Sequence, residues 1–307
     1  MNSNARILVV GSSNTDMIIQ LQRLPRPGET LLGGQFSIAA GGKGANQAVA
    51  AARAGGQVTF IARVGRDMFG DQALAGLAQA GINVDHVVRD PTEPSGVALI
   101  FVARNGQNSI AVAAGANARL CPADLRRASQ VFASAQVLLM QLETPLSTVQ
   151  AAARLAAAHG VQVILNPAPA RPLPASLLRT VSVLTPNETE AELLTGVRVN
   201  NLAGARQAAR WLRARGPQSV IITLGPRGAW VATAQAEFHV PSFKVKAVDT
   251  TAAGDVFNGA LAVALAEGRP WPEAVRFANA AGALSVTKLG AQPSAPTRRQ
   301  VLRLLAS

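Results

Sequence analysis

The run Val137-Leu138-Leu139-Met140-Gln141-Leu142, then Pro145–His159, then Val161-Gln162-Val163-Ile164-Leu165-Asn166 decides the fold class. The flanking runs are nearly continuous in apolar residues, as strands buried on both faces are. The Ala-rich segment between them has the composition and length of a crossover helix, so the two strands are expected to lie parallel in one sheet.

Working outward, the same alternation recurs. Ile7–Val10, Val58–Val64, Val181–Thr185 and Val220–Leu224 read as further buried strands, and Asn46–Ala54, Ala73–Ala80, Glu188–Leu194 and Leu202–Ala214 as helices. The last third is mostly helical, over Gly254–Ala266 and Pro272–Thr287. A three-layer α/β/α unit with a mostly parallel central sheet is therefore expected over residues 1–307. Two regions break the rhythm. Thr15–Leu21 with Glu29–Ile38, and Gly96–Ala103 with Asn108–Ala113, read as strands without intervening helices, the second pair joined through an Asn105-Gly106 turn. They predict a small β-sheet lid inserted at about 14–38 and 96–113, able to close over a ligand or to pair with another subunit.

Composition excludes several classes. Hydrophobic residues make up 49% and charged residues 15%, which rules out a disordered or coiled-coil chain. The formal charge of +12 invites a nucleic-acid reading. However, the arginines are scattered through Ala-rich helical stretches without a basic run, so no nucleic-acid partner is expected. A positive field would still draw in anionic ligands. No apolar run approaches bilayer length, so no membrane partner is expected. Cys121 is the only cysteine, which removes any internal disulfide and makes a reducing, cytoplasmic setting the expectation. His86, His159 and His239 stand far apart without acidic or Cys neighbours at ligand spacing, so no zinc site is expected.

Four motifs carry chemistry. In Asp249-Thr250-Thr251-Ala252-Ala253-Gly254-Asp255, small residues lead into a helix, so the Ala252, Ala253 and Gly254 amides would converge at its N-terminus and favour an anion. Asp255 in the first turn could then take a proton from an alcohol beside that anion. A dipole-complementing acid is the plainer reading of an isolated Asp, but the small-residue run and Asp249 favour the chemical one. Gly41-Gly42-Lys43-Gly44-Ala45-Asn46 lacks both the Walker and the dinucleotide patterns. It reads either as a bare backbone approaching a polyhydroxy ligand, flanked by Lys43 and Asn46, or as a tight loop with a helix cap. In Thr185-Pro186-Asn187-Glu188-Thr189-Glu190, Asn187 and Glu190 stand at the carboxyl end of a strand and could hold the water shell of Mg²⁺, although a helix start with an acidic first turn explains them as well. Thr223-Leu224-Gly225-Pro226-Arg227-Gly228 reads either as a phosphate-facing turn or as an ordinary β-turn.

Taken together and in this order, the four motifs resemble the ribokinase-like carbohydrate kinase family, over essentially the whole chain, from Gly11-Ser12-Ser13-Asn14-Thr15-Asp16 to Lys288-Leu289-Gly290-Ala291-Gln292-Pro293-Ser294. The resemblance implies a sugar pocket lined by Asn14, Asp16, Gly41, Gly42, Lys43, Asn46, Glu143 and Asp255. It implies an ATP site from Asn187, Glu190, Thr223, Gly225, Gly228, Gly254 and Asn279, with Asp255 as base and Lys43 beside the amides of 252–254. It implies Mg²⁺ accompanying ATP, and a monovalent cation, K⁺, held by Asp249, Thr251, the carbonyls of Ser285, Lys288 and Gly290, and the Ser294 hydroxyl. Its acceptor is expected to be D-ribose, with deoxyribose, a nucleoside or another sugar as the alternative. The lid is expected to make a homodimer contact.

Overall fold

The computed structural model describes residues 5–307. The chain opens with β1 (Arg6–Val10) and passes into β2 (Asn14–Leu21) and β3 (Gln35–Gly41) before α1 (Lys43–Arg53). Then come β4 (Gln57–Ile61), β5 (Arg63–Gly65), α2 (Met68–Gln79), β6 (Val88–Asp90), β7 (Gly96–Ala103) and β8 (Asn108–Ala113). Helices α3 (Pro122–Arg127) and α4 (Ser129–Ser134) lead to β9 (Val137–Met140), α5 (Leu146–Ala158), β10 (Gln162–Leu165), α6 (Ala175–Leu178) and β11 (Val183–Leu184). Next are α7 (Glu188–Thr195), α8 (Leu202–Arg213), β12 (Ser219–Thr223), β13 (Ala229–Ala232) and β14 (Glu237–Val240). The chain ends in α9 (Ala253–Ala266), α10 (Trp271–Ser285) and α11 (Arg298–Ala306).

Eight strands form the central sheet in the order β14-β13-β12-β11-β10-β9-β1-β4, parallel from β4 to β12 and antiparallel beyond. Strand alternation divides the core into two layers. Ile7, Val9, Phe60 and Leu139 pack on the side of α1, α9 and α10, whereas Leu8, Val10, Leu138 and Met140 pack on the side of α5 and α8. Helix α9 is buried all round from Asp255 to Ala264, as its nearly uncharged sequence allows. Among the described residues no helix is long and apolar enough to cross a membrane.

The lid is a four-stranded sheet, β3-β2-β7-β8, in which β2 and β7 run parallel. Several boundaries differ from the sequence reading. The expected strand Val58–Val64 breaks at Ala62: β4 stays in the central sheet, and β5 leaves to pair with β6. The expected lid strand Glu29–Ile38 lies at Gln35–Gly41 instead, because Glu29 is held by the Arg23 guanidinium in a turn. Helix α1 starts at Lys43 rather than Asn46, and the β13–β14 hairpin at the sheet edge has no counterpart in that reading.

Candidate active site

Strand β1 lies between β4 and β9, so the chain leaves it to one side first and to the other later. The carboxyl ends of β1 and β9 therefore open a crevice where the strand order reverses, the usual place for a ligand in such sheets. Gly11–Asn14 and Gln141–Glu143 leave the sheet there. The turns after β10, β11 and β12 continue the same edge.

On one side of the crevice the polar groups expected for a sugar come together. Gly42 caps α1 at φ 86, a conformation costly for any residue with a Cβ. A Cβ at Gly44 would sit 2.5 Å from Ser12 N, so only glycine lets the helix start against that backbone. Ser12 Oγ donates to Glu143 Oε2 at 2.5 Å, and Lys43 N donates to the same oxygen at 2.9 Å. Glu143 thus satisfies a first-turn amide of α1, where the helix dipole favours negative charge. Asn117 Nδ2 donates to Asn14 Oδ1 at 2.8 Å, which leaves the Asn14 Nδ2 donor for a ligand. Asp16 faces Ala39 and Ala98 across the lid, and a Cβ on Gly41 would land on its carboxylate. Burial, with Glu143 adding repulsion, pushes Asp16 up to about 6.

On the other side a cavity of about 160 Å³ brings Lys43, Asn187, Glu190, Thr223, residues 252–254 and Asp255 together. Ala252 holds φ 57, the only positive φ outside glycine among the described residues, and it is the N-cap of α9. This turn points the start of the helix into the cavity. One expected donor is partly spent: Ala253 N donates to Thr250 O at 3.3 Å, because the left-handed turn folds it back. No such backbone bond occupies the Ala252 or Gly254 amide, so two of the three expected donors remain free.

Asp255 lies where the two sides meet and is buried. Asn46 Nδ2 donates to its Oδ2 at 3.1 Å and Gln47 Nε2 to its Oδ1 at 3.0 Å. Burial pushes its pKa up, against the opposing influence of Lys43 and the two amides. Burial disfavours the Lys43 charge, but Asp255, Glu143 and Glu190 outweigh it and hold the ammonium above its ordinary value. A carboxylate and an ammonium thus stand together on one cavity wall.

The residues expected to face the nucleotide fare unevenly. Asn187 and Glu190 form a reciprocal capping box, with Asn187 Oδ1 accepting from Glu190 N at 2.8 Å and Glu190 Oε2 from Asn187 N at 2.9 Å. One Glu190 oxygen is thereby committed, and the group still lines the cavity. Thr223 N donates to Pro186 O at 3.0 Å, which joins the two turns. Gly228 departs from the expectation: its amide donates to Gly225 O at 3.1 Å, so it closes the turn and is not available to phosphate. Its φ of 93 and the close approach of Val240 O explain why glycine stands there. Asn279 Nδ2 is tied to the carbonyls of Val240 and Pro241 at 3.0 and 3.2 Å.

Asp249 connects the segments expected to hold a cation. Its Oδ1 accepts from Thr251 N at 2.9 Å and its Oδ2 from Gly290 N at 2.8 Å. Lys288 N donates to Ser285 O at 3.1 Å, and the buried Ser294 hydroxyl donates to Ala291 O at 2.7 Å, which leaves lone pairs on both oxygens. No cluster of three His, Cys, Asp or Glu exists among the described residues, so any cation here would rest on the Asp249 carboxylate together with backbone and hydroxyl oxygens.

Sequence reading missed Ser12, Gln47, Asn117, Asn166, Thr185 and Asn258. Each is a buried polar residue to which the motifs assigned no role. Polarity at a strand end or inside an apolar helix was the available signal.

Residues 4–298 match the family model described as pfkB family carbohydrate kinase. The chain is 47% identical over 299 residues to a ribokinase of Haemophilus influenzae, covering 97% of this chain and 98% of that one. It is also 42% identical over 295 residues to a deoxyribokinase of Salmonella typhimurium, at 96% of each. The structure of Arabidopsis thaliana ribokinase complexed with ribose and ATP superposes with a TM-score of 0.94 at 35% identity, over 99% of both chains.

Proposed function

This chain belongs to the pfkB family of carbohydrate kinases, and we propose that it transfers the γ-phosphoryl group of ATP to the O5 hydroxyl of D-ribose, giving ribose 5-phosphate and ADP. The observation that carries this reading is one buried carboxylate, Asp255, that lines the amide-bearing cavity and accepts hydrogen bonds from Asn46 and Gln47.

In this mechanism Asp16, Glu143 and the Asn14 and Asn46 amides hold the sugar hydroxyls. Asp255 accepts the O5 proton as the O5–phosphorus bond forms. The bond from the γ-phosphorus to the bridging oxygen breaks, and ADP leaves with that electron pair. Lys43 and the Ala252 and Gly254 amides offset the charge on the transferring group, so the chain contributes mainly position and electrostatics. Glu190 and Asn187 offer oxygens on the cavity wall suited to the hydration shell of a hard divalent ion. Mg²⁺ bound with ATP supplies positive charge to the phosphate oxygens. Asp249, Thr251 and Ser294, with the carbonyls of Ser285, Lys288 and Gly290, suit K⁺, which would order the turn that ends at Ala252. The lone cysteine agrees with a cytoplasmic setting.

A coupled ADP-release assay over a pentose and nucleoside panel tests this reading. Ribose is expected to show the highest specificity constant and 2-deoxyribose a lower one, since Asp16 and Asn14 suit vicinal hydroxyls. A higher value for 2-deoxyribose or a nucleoside would change the acceptor while leaving the chemistry in place. Adding K⁺ is expected to raise turnover in the wild type and to have little effect on Asp249→Ala; equal stimulation of both would remove the cation assignment.

The lid supports a homodimer. Phe36, Ile38, Leu99, Ile110 and Val112 are all more than 45% exposed on one small sheet, more apolar surface than a solvent-facing sheet ordinarily carries. Light scattering is expected to give a mass near twice 31.7 kDa. A Phe36→Glu/Ile110→Glu double variant is expected to run as a monomer; a monomeric wild type would end this reading.

A further inference from the structure

Gln47 is wholly buried, one residue beyond the sugar-facing Asn46, and no ligand can reach it. Its carboxamide is nevertheless fully engaged. Nε2 donates to Asp255 Oδ1 at 3.0 Å and to Asn166 Oδ1 at 3.1 Å, while Oε1 accepts from Gln141 Nε2 at 2.5 Å. A flipped amide would set oxygen against two oxygens and nitrogen against nitrogen, so the three neighbours fix one orientation. Two glycines make the arrangement possible. A Cβ at Gly259 would lie 2.7 Å from Gln47 O, so α1 and α9 approach closely only because that position is bare. Gly11 likewise leaves room for the Gln141 carboxamide.

The hydrogen bonds do not stop at Gln47. Asn166 Nδ2 donates to Thr185 O at 3.1 Å, Thr185 Oγ1 to Asn258 Oδ1 at 2.6 Å, and Asn258 Nδ2 to Gly254 O at 2.8 Å. One buried chain of polar groups therefore runs from the carboxylate to the carbonyl of the amide-bearing turn.

We infer that Gln47 is a positioning residue for phosphoryl transfer, holding the Asp255 carboxylate in a fixed plane and linking it to the turn that receives the γ-phosphoryl group. This rests on Asp255 being the base. Lys43 on α1, Glu143 after β9 and Glu190 on α7 are the charged groups that face Asp255. All three remain when Gln47 is replaced by Met, which keeps the length of the side chain and loses its donor. The ionised base then has one fewer hydrogen bond, so it takes up a proton at higher pH.

The experiment compares Asp255→Asn, Gln47→Met and Gln141→Met in the full-length protein, by steady-state kinetics across pH and by thermal melting. Gln141→Met frees the Gln47 amide without touching Asp255. Asp255→Asn is expected to be nearly inactive. Gln47→Met is expected to lower kcat about 10- to 100-fold, with both KM values within about threefold and the acid limb of kcat raised by about one pH unit. Gln141→Met is expected to shift kcat and the limb in the same direction by less. An active Asp255→Asn enzyme would defeat the base assignment itself. If Asp255→Asn is inactive but folded Gln47→Met keeps its kcat and its acid limb, the inference fails while the base assignment stands. Should Gln47→Met not fold, Gln141→Met decides: an unmoved acid limb overturns the inference, and a raised limb with lowered kcat supports it. Loss of melting temperature with no pH shift in either variant would make the amide purely structural and would also overturn it.

Discussion

Asp255→Asn is expected to reduce kcat by about 10²- to 10⁴-fold while leaving the KM values for sugar and nucleotide within a few-fold, because a general base acts mainly in the transition state. The substitution is nearly isosteric, and the partners at Asp255 are amide donors. An Asn oxygen can still accept one of those hydrogen bonds, so the pocket survives while the proton acceptor is lost. Lys43 bears on the size of the effect. With Asp255 neutralised, Glu143 and Glu190 remain to hold its ammonium charged, and stabilisation of the transferring phosphoryl group persists. Residual activity should therefore exceed that of a variant lacking both Asp255 and Lys43. Wild-type acidification should resemble Asp255→Asn: as pH falls, the base is protonated and kcat declines. Burial pushes this pKa up, so the decline begins at higher pH than for an ordinary carboxylate. Turnover near the wild-type value in Asp255→Asn would remove the base from the mechanism.

The α/β/α architecture was legible because the parallel strands are buried on both faces and so appear as unbroken apolar runs. The lid strands β7 and β8 were equally legible, since two short runs joined through an Asn-Gly turn mark a hairpin locally. What stayed hidden depends on distant partners. The strand break at Ala62 is hard to see locally, because β4 and β5 are separated by that one residue and part only in the sheets they join. The β13–β14 hairpin is short and sits on an edge whose pairing is set by β12. In the site, motif residues such as Lys43, Asn187 and Asp255 could be identified because glycines or helix starts adjoin them. Gln47, Asn166 and Asn258 could not, since each gains its meaning from a hydrogen bond to a residue at least 19 positions away or to a turn formed by one. The Ala253 amide and the Gly228 amide show the converse error: a small-residue run suggests free donors, but turn geometry can fold a donor back onto its own loop.

The second large effect concerns Asp16. Replacing it with Asn is expected to raise the KM for ribose by about 10- to 100-fold, the range for losing a hydrogen bond to a charged acceptor, with kcat at saturating sugar changed only a few-fold. Asp16 stands on β2 with Gly41 beneath its carboxylate, away from the cavity that would receive the phosphates. Its contribution should therefore be spent on holding hydroxyls equally before and during transfer. The pH dependence separates the two acids. Asp16 is pushed up to about 6 by burial and then by Glu143, so in the free enzyme the ionised form predominates above that pH. A sugar that donates hydroxyl hydrogens binds this form, and its apparent affinity should weaken as pH falls through about 6 and stay level above about 7. Asp16→Asn has no proton to gain there, so its KM should be high but nearly independent of pH, while the acid limb of kcat from Asp255 remains. The same variant should narrow any preference for ribose over 2-deoxyribose, since a neutral amide penalises a missing hydroxyl less than a buried carboxylate does. Measuring KM and kcat for both sugars between pH 5 and 8 in the two proteins tests each step. A KM that still rises on acidification in Asp16→Asn would assign that titration to another group and leave Asp16 without its assigned role.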